Sequence, residues 1–157
     1  MAFHRIHFLA NETPSSKSLN HFVLILDTQT IYAMKRILVP TDFSDCAGFA
    51  ADAAIRMAEQ HGAEVIMYTR IPGDQSEDFK EAADVSGLPM SIAEKFKTLL
   101  APYANAGTVF RLMYSSKDLV PGVLELAEKE DVALIVMGSS GAGGLKELVW
   151  GSMPSAW

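Results

Sequence analysis

The sequence predicts an α/β fold, a doubly wound, mainly parallel open sheet of the Rossmann-like kind in a single domain. Three observations carry that prediction. Four short apolar runs, at 36–40, 64–69, 108–113 and 132–137, are separated by stretches in which apolar residues recur at helical spacing. Strands alternating with helices imply parallel pairing through right-handed crossovers. The fourth run opens directly into Gly138-Ser139-Ser140-Gly141-Ala142-Gly143-Gly144, the layout of a phosphate cradle, in which glycines allow positive φ and successive amides point at an anion.

Each element has its own signal. Arg36-Ile37-Leu38-Val39-Pro40 is the first strand of the alternating pattern, and it runs into Thr41-Asp42-Phe43-Ser44. Ser44 is the expected N-cap of a helix whose apolar positions are Ala47, Ala50, Ala51, Ala54, Ile55 and Ala58, with Gly62 as its stop. Glu64 to Thr69 is the second strand. Pro72 to Pro89 is polar and expected to lie outside the core. Ser91-Ile92-Ala93-Glu94 has the form of a capping box, Ile92, Phe96, Leu99 and Tyr103 mark one helical face, and Pro102 should kink or end that helix. Thr108 to Met113 is the third strand. Leu119 to Glu130 is a helix with Pro121 in its first turn, and Val132 to Met137 the fourth strand.

Composition narrows the function. A chain of 157 residues that is 49% hydrophobic has material for one real core. With 13 Lys and Arg against 19 Asp and Glu, a formal net charge of -6 and no basic run, it repels a phosphate backbone, so no nucleic-acid partner is expected. No stretch reads as a membrane span, and the single cysteine, Cys46, excludes an internal disulfide and suits a reducing, cytoplasmic setting as an inert small hydrophobe. His4, His7 and His21 have no Cys or clustered carboxylate beside them, so no metal site is expected.

The glycine loop has a defined spacing. Two residues separate Gly138 from Gly141, nine more separate Gly141 from Gly151, and Ser152 follows, giving G-x2-G-x9-G-S. Together with the strand ending in Pro40-Thr41-Asp42, this pattern resembles the universal stress protein family, in its ATP-binding branch, from about Met34 to Ser152. The resemblance implies an adenine-nucleotide site holding ATP, alone or with Mg. Pro40, Thr41 and Asp42 would flank the adenosine, Gly138 and Gly141 the ribose and first phosphates, and Gly151 with Ser152 the distal phosphates. Ser139 and Ser140 would add hydroxyl donors, and Lys146 is the cation inside the loop. Arg70 stands at a strand end where relatives usually place a small apolar residue over the adenine; stacking on the base and filling the pocket both stay open. For Asp42, a turn and helix-entry role is an equal alternative.

Both ends depart from the family's pattern. Met34-Lys35-Arg36 looks like a natural start, so residues 1–33 are expected to be a flexible or artificial leader, dispensable to the domain at 34–157. A second expectation competes with it. The family continues past the Gly-Ser turn into a helix and a final strand that this chain lacks, which would weaken ATP binding and the usual homodimer and leave Val132 to Met137 as an exposed edge. The apolar segment Phe22 to Leu26 could cover that edge as an antiparallel strand.

Other readings lack their parts. No G-x-S-x-G elbow surrounds Ser139 and Ser140, no Gly-Lys-Ser/Thr follows Gly138, and His61 sits at the far end of its helix from the glycine loop, so no catalytic residue is assigned. A receiver-like phosphoacceptor using Asp42 would need further acidic residues that Met113-Tyr114-Ser115 does not supply. A structural, partner-binding module with a degraded nucleotide site is the alternative. The expected output is regulation in a stress response, with at most slow ATP hydrolysis.

Overall fold

The computed structural model describes residues 5–11, 20–26, 35–73 and 75–139, with side chains over 35–73 and 75–138. In chain order the strands are β1 (Arg5–Asn11), β2 (Asn20–Leu26), β3 (Arg36–Pro40), β4 (Glu64–Arg70), β5 (Lys80–Ala82), β6 (Phe110–Ser115) and β7 (Leu134–Ser139). The helices are α1 (Asp45–His61), α2 (Met90–Leu100) and α3 (Leu119–Lys129). One sheet contains all these strands in the order β1-β2-β7-β3-β4-β6-β5. Its centre, β7-β3-β4-β6, is parallel. At the flanks, β5 pairs antiparallel with β6, and β2 with β7.

The period of two along the central strands sorts the core into two layers. Ile37, Val39, Val65, Met67, Leu112, Leu134 and Val136 face α1 and α2, where they meet Ala50, Ala54, Ile55, Ile92 and Phe96. Leu38, Ile66, Tyr68, Met113, Ile135 and Met137 face α3, where they meet Val123, Leu126 and Ala127. Burial on both faces explains why these strands read as continuous apolar runs. Each fully buried side chain, such as Ile37, Leu38 or Phe96, contributes on the order of 1.5–3 kcal/mol. The small residues of α1 let it lie close to the sheet. In α3, Gly122 does the same, because a Cβ there would come within 2.7 Å of the Tyr68 hydroxyl.

The helix ends follow local chemistry. The Ser44 hydroxyl accepts the Ala47 N–H at 3.3 Å, and Gly62, at φ 65°, closes α1 in the left-handed conformation. The capping box expected at Ser91 does not form. Pro89 is the N-cap of α2 and its carbonyl takes the first N–H bonds, from Ile92 and Ala93, so Ser91 already lies inside the helix and Glu94 pairs with Lys97 instead. Pro102 ends α2 as expected, in a 3-10 turn over Ala101–Tyr103.

The structure differs from the sequence reading at several places, β4 running on to Arg70 and α3 stopping at Lys129 among them. The third run forms a strand at Phe110–Ser115 rather than from Thr108, because the polar end, Ser115, is buried and satisfied by a 2.6 Å hydrogen bond to the Tyr68 hydroxyl. The fourth strand starts at Leu134 and continues through Gly138 and Ser139. The polar stretch 72–89 is not wholly outside the core: Ala82 of β5 and Leu88 are buried in the α1–α2 layer. Three residues of strand are too few to show a period.

The antiparallel covering strand expected at Phe22 to Leu26 is present. Residues from His21↔Ser139 to Leu26↔Leu134 pair in register, and β1 extends the sheet one strand further, from Arg5↔Leu26 to Asn11↔Asn20.

Candidate functional site

The chain moves outward from β3 to β4 and β6 in one direction, then returns to place β7 on the other side of β3. Such a reversal splits the loops above the strand ends and leaves a crevice there, the usual ligand position in open α/β sheets. A cavity of about 290 Å³ occupies this place. It is lined by Pro40, Thr41 and Asp42 after β3, Ala47 of α1, Thr69 and Arg70 of β4, Leu119 of α3, and Met137 with Gly138 of β7.

Its floor is hydrogen-bonded. The Thr41 N–H donates to the Tyr68 carbonyl at 2.8 Å, and the Thr69 hydroxyl donates to the Thr41 carbonyl at 3.0 Å, so the ends of β3 and β4 stay joined beyond the ladder. The Thr41 hydroxyl in turn accepts the Phe43 N–H at 3.0 Å. Both threonines are buried, and these bonds satisfy the polar groups that burial would otherwise penalise. Beneath the floor, burial pushes the Tyr68 phenol above its ordinary pKa, against the smaller opposing effect of its bond to Ser115.

The mouth is held by a tight turn. Asp42 Oδ1 accepts the Ser44 N–H at 2.9 Å, so one carboxylate oxygen has the turn and helix-entry role. Phe43 has φ 63°, an unusual conformation for a bulky residue. Its ring packs edge-on against Phe96 with centroids 4.8 Å apart, and Lys95 lies 5.6 Å from its centroid, which fixes the side chain while the backbone turns.

Arg70 does not fill the crevice as a free cation. Its Nε donates to the Ser116 carbonyl at 3.4 Å and its Nη2 pairs with Asp118 Oδ1 at 3.3 Å, bridging the end of β4 to the loop before α3.

Gly138 has a packing role besides the one its loop suggests. It lies within β7 opposite Phe22, and its φ is not among the positive values, so conformational freedom is not what the position needs. A Cβ there would stand 2.6 Å from the Ala47 nitrogen and nearer still to the Cys46 carbonyl group. Close approach of the first turn of α1 therefore requires glycine at this point. Ser139 is described only as the last residue of β7, and Ser140, Gly141, Lys146, Gly151 and Ser152 lie outside the described residues.

The structure thus brings Pro40, Thr41, Asp42, Arg70 and Gly138 to one crevice. Ala47, Thr69, Leu119 and Met137 join them without having been singled out from sequence. Thr69 carried a signal, a polar residue closing an apolar strand; the other three read only as core.

A larger open groove of about 760 Å³ runs between α1 and α2, with Phe43, Phe49, Leu99 and Tyr103 on its walls. Tyr103 donates to Asp52 at 2.8 Å across it, and burial with that bond pushes the phenol up to about 12.

Among the described residues no three metal-ligating side chains cluster, and no helix is long and apolar enough to cross a membrane. Comparison with known proteins agrees with the geometry. Residues 34–156 match the model of the universal stress protein family. Universal stress protein YxiE of Bacillus subtilis (strain 168) is 27% identical over 136 residues, covering 75% of this chain and 87% of its own length. Among solved structures, a universal stress protein in complex with cAMP superposes with a TM-score of 0.54 at 22% identity, covering 77% of this chain and 85% of that one. A protein from Mycobacterium tuberculosis H37Rv is 25% identical with a TM-score of 0.48, covering 76% and 82%. With the family model matched over most of its length, this chain belongs to the universal stress protein family.

Proposed function

We propose that this chain binds an adenine nucleotide, ATP in particular, in the crevice above β3, β4 and β7, and that its output is regulation in a stress response rather than turnover. The observation that carries this reading is the convergence of Pro40, Thr41, Asp42, Arg70 and Gly138, distant in sequence, on one crevice at the reversal of strand order. A volume of about 290 Å³ lies at the lower end of ligand pockets, enough for the nucleoside portion. The phosphates would be left to the residues of the G-x2-G-x9-G-S pattern that follow Gly138 in the sequence. A structural neighbour in complex with cAMP supports a nucleotide as the ligand class.

Mg, where it accompanies ATP, would arrive on the phosphates; among the described residues no three metal-ligating side chains cluster to hold it on their own. Regulation fits better than catalysis because, among the described residues, the one carboxylate of the crevice, Asp42, is already engaged in a turn bond to Ser44. His61 ends α1, about 24 Å of helix from its start.

One observation favours the alternative of a partner-binding module. Packing against α1 is by itself a sufficient reason for Gly138. Calorimetric titration with ATP, AMP and CTP separates the two readings. Saturable binding that prefers adenine is expected, and no heat at millimolar ligand would establish the module reading instead.

A further inference from the structure

We propose that the groove between α1 and α2 is a docking site for a helical segment of another protein, one that presents apolar anchors flanked by lysines or arginines. It holds whether or not the crevice takes a nucleotide. The residues facing the groove recur at helical spacing, Gly48 and Asp52 on α1, Lys95 and Leu99 on α2, so its walls are two parallel ridges. With 11 residues α2 is about 16 Å long, room for about three turns of a third helix. The 2.8 Å bond from Tyr103 to Asp52 ties the walls together, so the groove is formed before an occupant arrives.

Two residues of α1 have no use inside the fold. Gly48 lies in the helix interior, where glycine weakens a helix. A Cβ at Gly138 or Gly122 would strike the backbone of Cys46 or the Tyr68 hydroxyl, whereas one at Gly48 would meet nothing within 4 Å. What Gly48 does is open the floor of the groove, giving a partner's side chain room to reach the helix backbone. Beside it, Phe49 leaves 49% of its surface in solvent, a large aromatic of the kind that anchors interfaces.

The rim selects the partner's charge. Asp45, Asp52 and Glu94 line the groove against one cation, Lys95, which lies over the Phe43 ring. Asp52 and Glu94 pair along their own helices with Arg56 and Lys97, exposed contacts that a partner's cation can replace at little cost. Asp45 has no ionic partner among the described residues. A second copy is the wrong occupant, because a two-fold contact would set this acidic rim against itself. Phosphate backbones and anionic lipid surfaces are repelled for the same reason.

Fluorescence anisotropy tests the assignment with a labelled peptide of about 15 residues, leucines at one helical face and lysines beside them, with melting curves as the folding control. Wild type should bind it saturably, and the same peptide with glutamates for the lysines should bind at least about fivefold more weakly. Gly48→Leu, a better helix former that fills the floor, should melt no lower than wild type yet weaken binding at least about fivefold, as should Phe49→Ala. Val109→Ala trims an apolar side chain that is 63% exposed outside the groove and should leave binding unchanged. Absence of saturable binding, equal binding of the glutamate peptide, a Gly48→Leu protein that binds as wild type does, or a loss shared by Val109→Ala would each overturn the proposal. Light scattering in which wild type dimerises and Gly48→Leu does not would overturn it as well, by giving the groove to a second copy.

Discussion

Gly138 shows how one residue type serves two demands that sequence cannot separate. A glycine after an apolar strand reads as a cradle residue, yet here the backbone of Cys46 and Ala47 occupies the place of a Cβ. Gly138→Ala should therefore destabilise the fold by roughly 1–3 kcal/mol, since α1 or β7 must move to admit a methyl group. Gly48, inside α1, has nothing within 4 Å of its Cβ position, so Gly48→Ala should be neutral or stabilising by up to about 1 kcal/mol. Urea denaturation of both variants decides the matter. A Gly138→Ala protein as stable as wild type but unable to bind nucleotide would return this glycine to the ligand alone. Asp42 was legible in the same divided way: its turn bond to Ser44 is present, and its second oxygen is left for the crevice.

At the scale of elements, the strand beginnings are joined by a charge network opposite the crevice. Arg111 of β6 makes two bonds to Glu81 of β5 at 2.7 and 2.8 Å, one to Glu130 at 2.7 Å, and approaches Glu64 of β4 at 3.5 Å. Glu64 also pairs with Arg36 of β3. The side chain of Arg111 is only 21% exposed, so removing it takes the partner from Glu81 and Glu130 and leaves them beside Glu64, which keeps Arg36. Arg111→Met should cost about 1–3 kcal/mol at pH 7. The bonds from Arg111 hold the Glu81 carboxyl below its ordinary value of 4.5. Because the folded value lies below the unfolded one, this contribution is complete above pH 4.5 and is lost as pH falls through the folded value. The gap between wild type and Arg111→Met should accordingly narrow on acidification from pH 6 to pH 3, measured by denaturant midpoints. A gap that stays constant over that range would show that Arg111 acts through packing of its stem. Nothing in the sequence pairs Arg111 with Glu81 and Glu130, because the three meet only when β5 folds back on β6 and α3 ends beside them.

For the whole molecule, the sheet closes its β7 edge with β2, drawn from a segment ahead of the family-matched residues 34–156. Removing residues 1–33 would strip a ladder partner from Leu134 to Ser139 and expose an apolar edge. The shortened chain should melt lower by more than about 5 °C and self-associate with increasing concentration, as read by differential scanning calorimetry and light scattering. An unchanged melting temperature and a monomeric shortened chain would mean that the pairing contributes nothing to stability.

Sequence by itself determined the α/β class, the four central strands, the three helices and the family. These rest on local period and on apolar runs long enough to be buried on both faces, properties each segment carries alone. Through the resemblance carried by the G-x2-G-x9-G-S spacing and the strand ending in Pro40-Thr41-Asp42, it also pointed to Pro40, Thr41, Asp42, Arg70 and Gly138, which the fold brings to one crevice. Only the tertiary structure decided that Thr69, Leu119 and Met137 share their crevice, that Arg70 leans on Asp118, and that Gly138 answers first to α1. Those facts depend on which strands become neighbours and how closely a helix settles on them. Contacts between residues far apart in the chain leave no period in either segment.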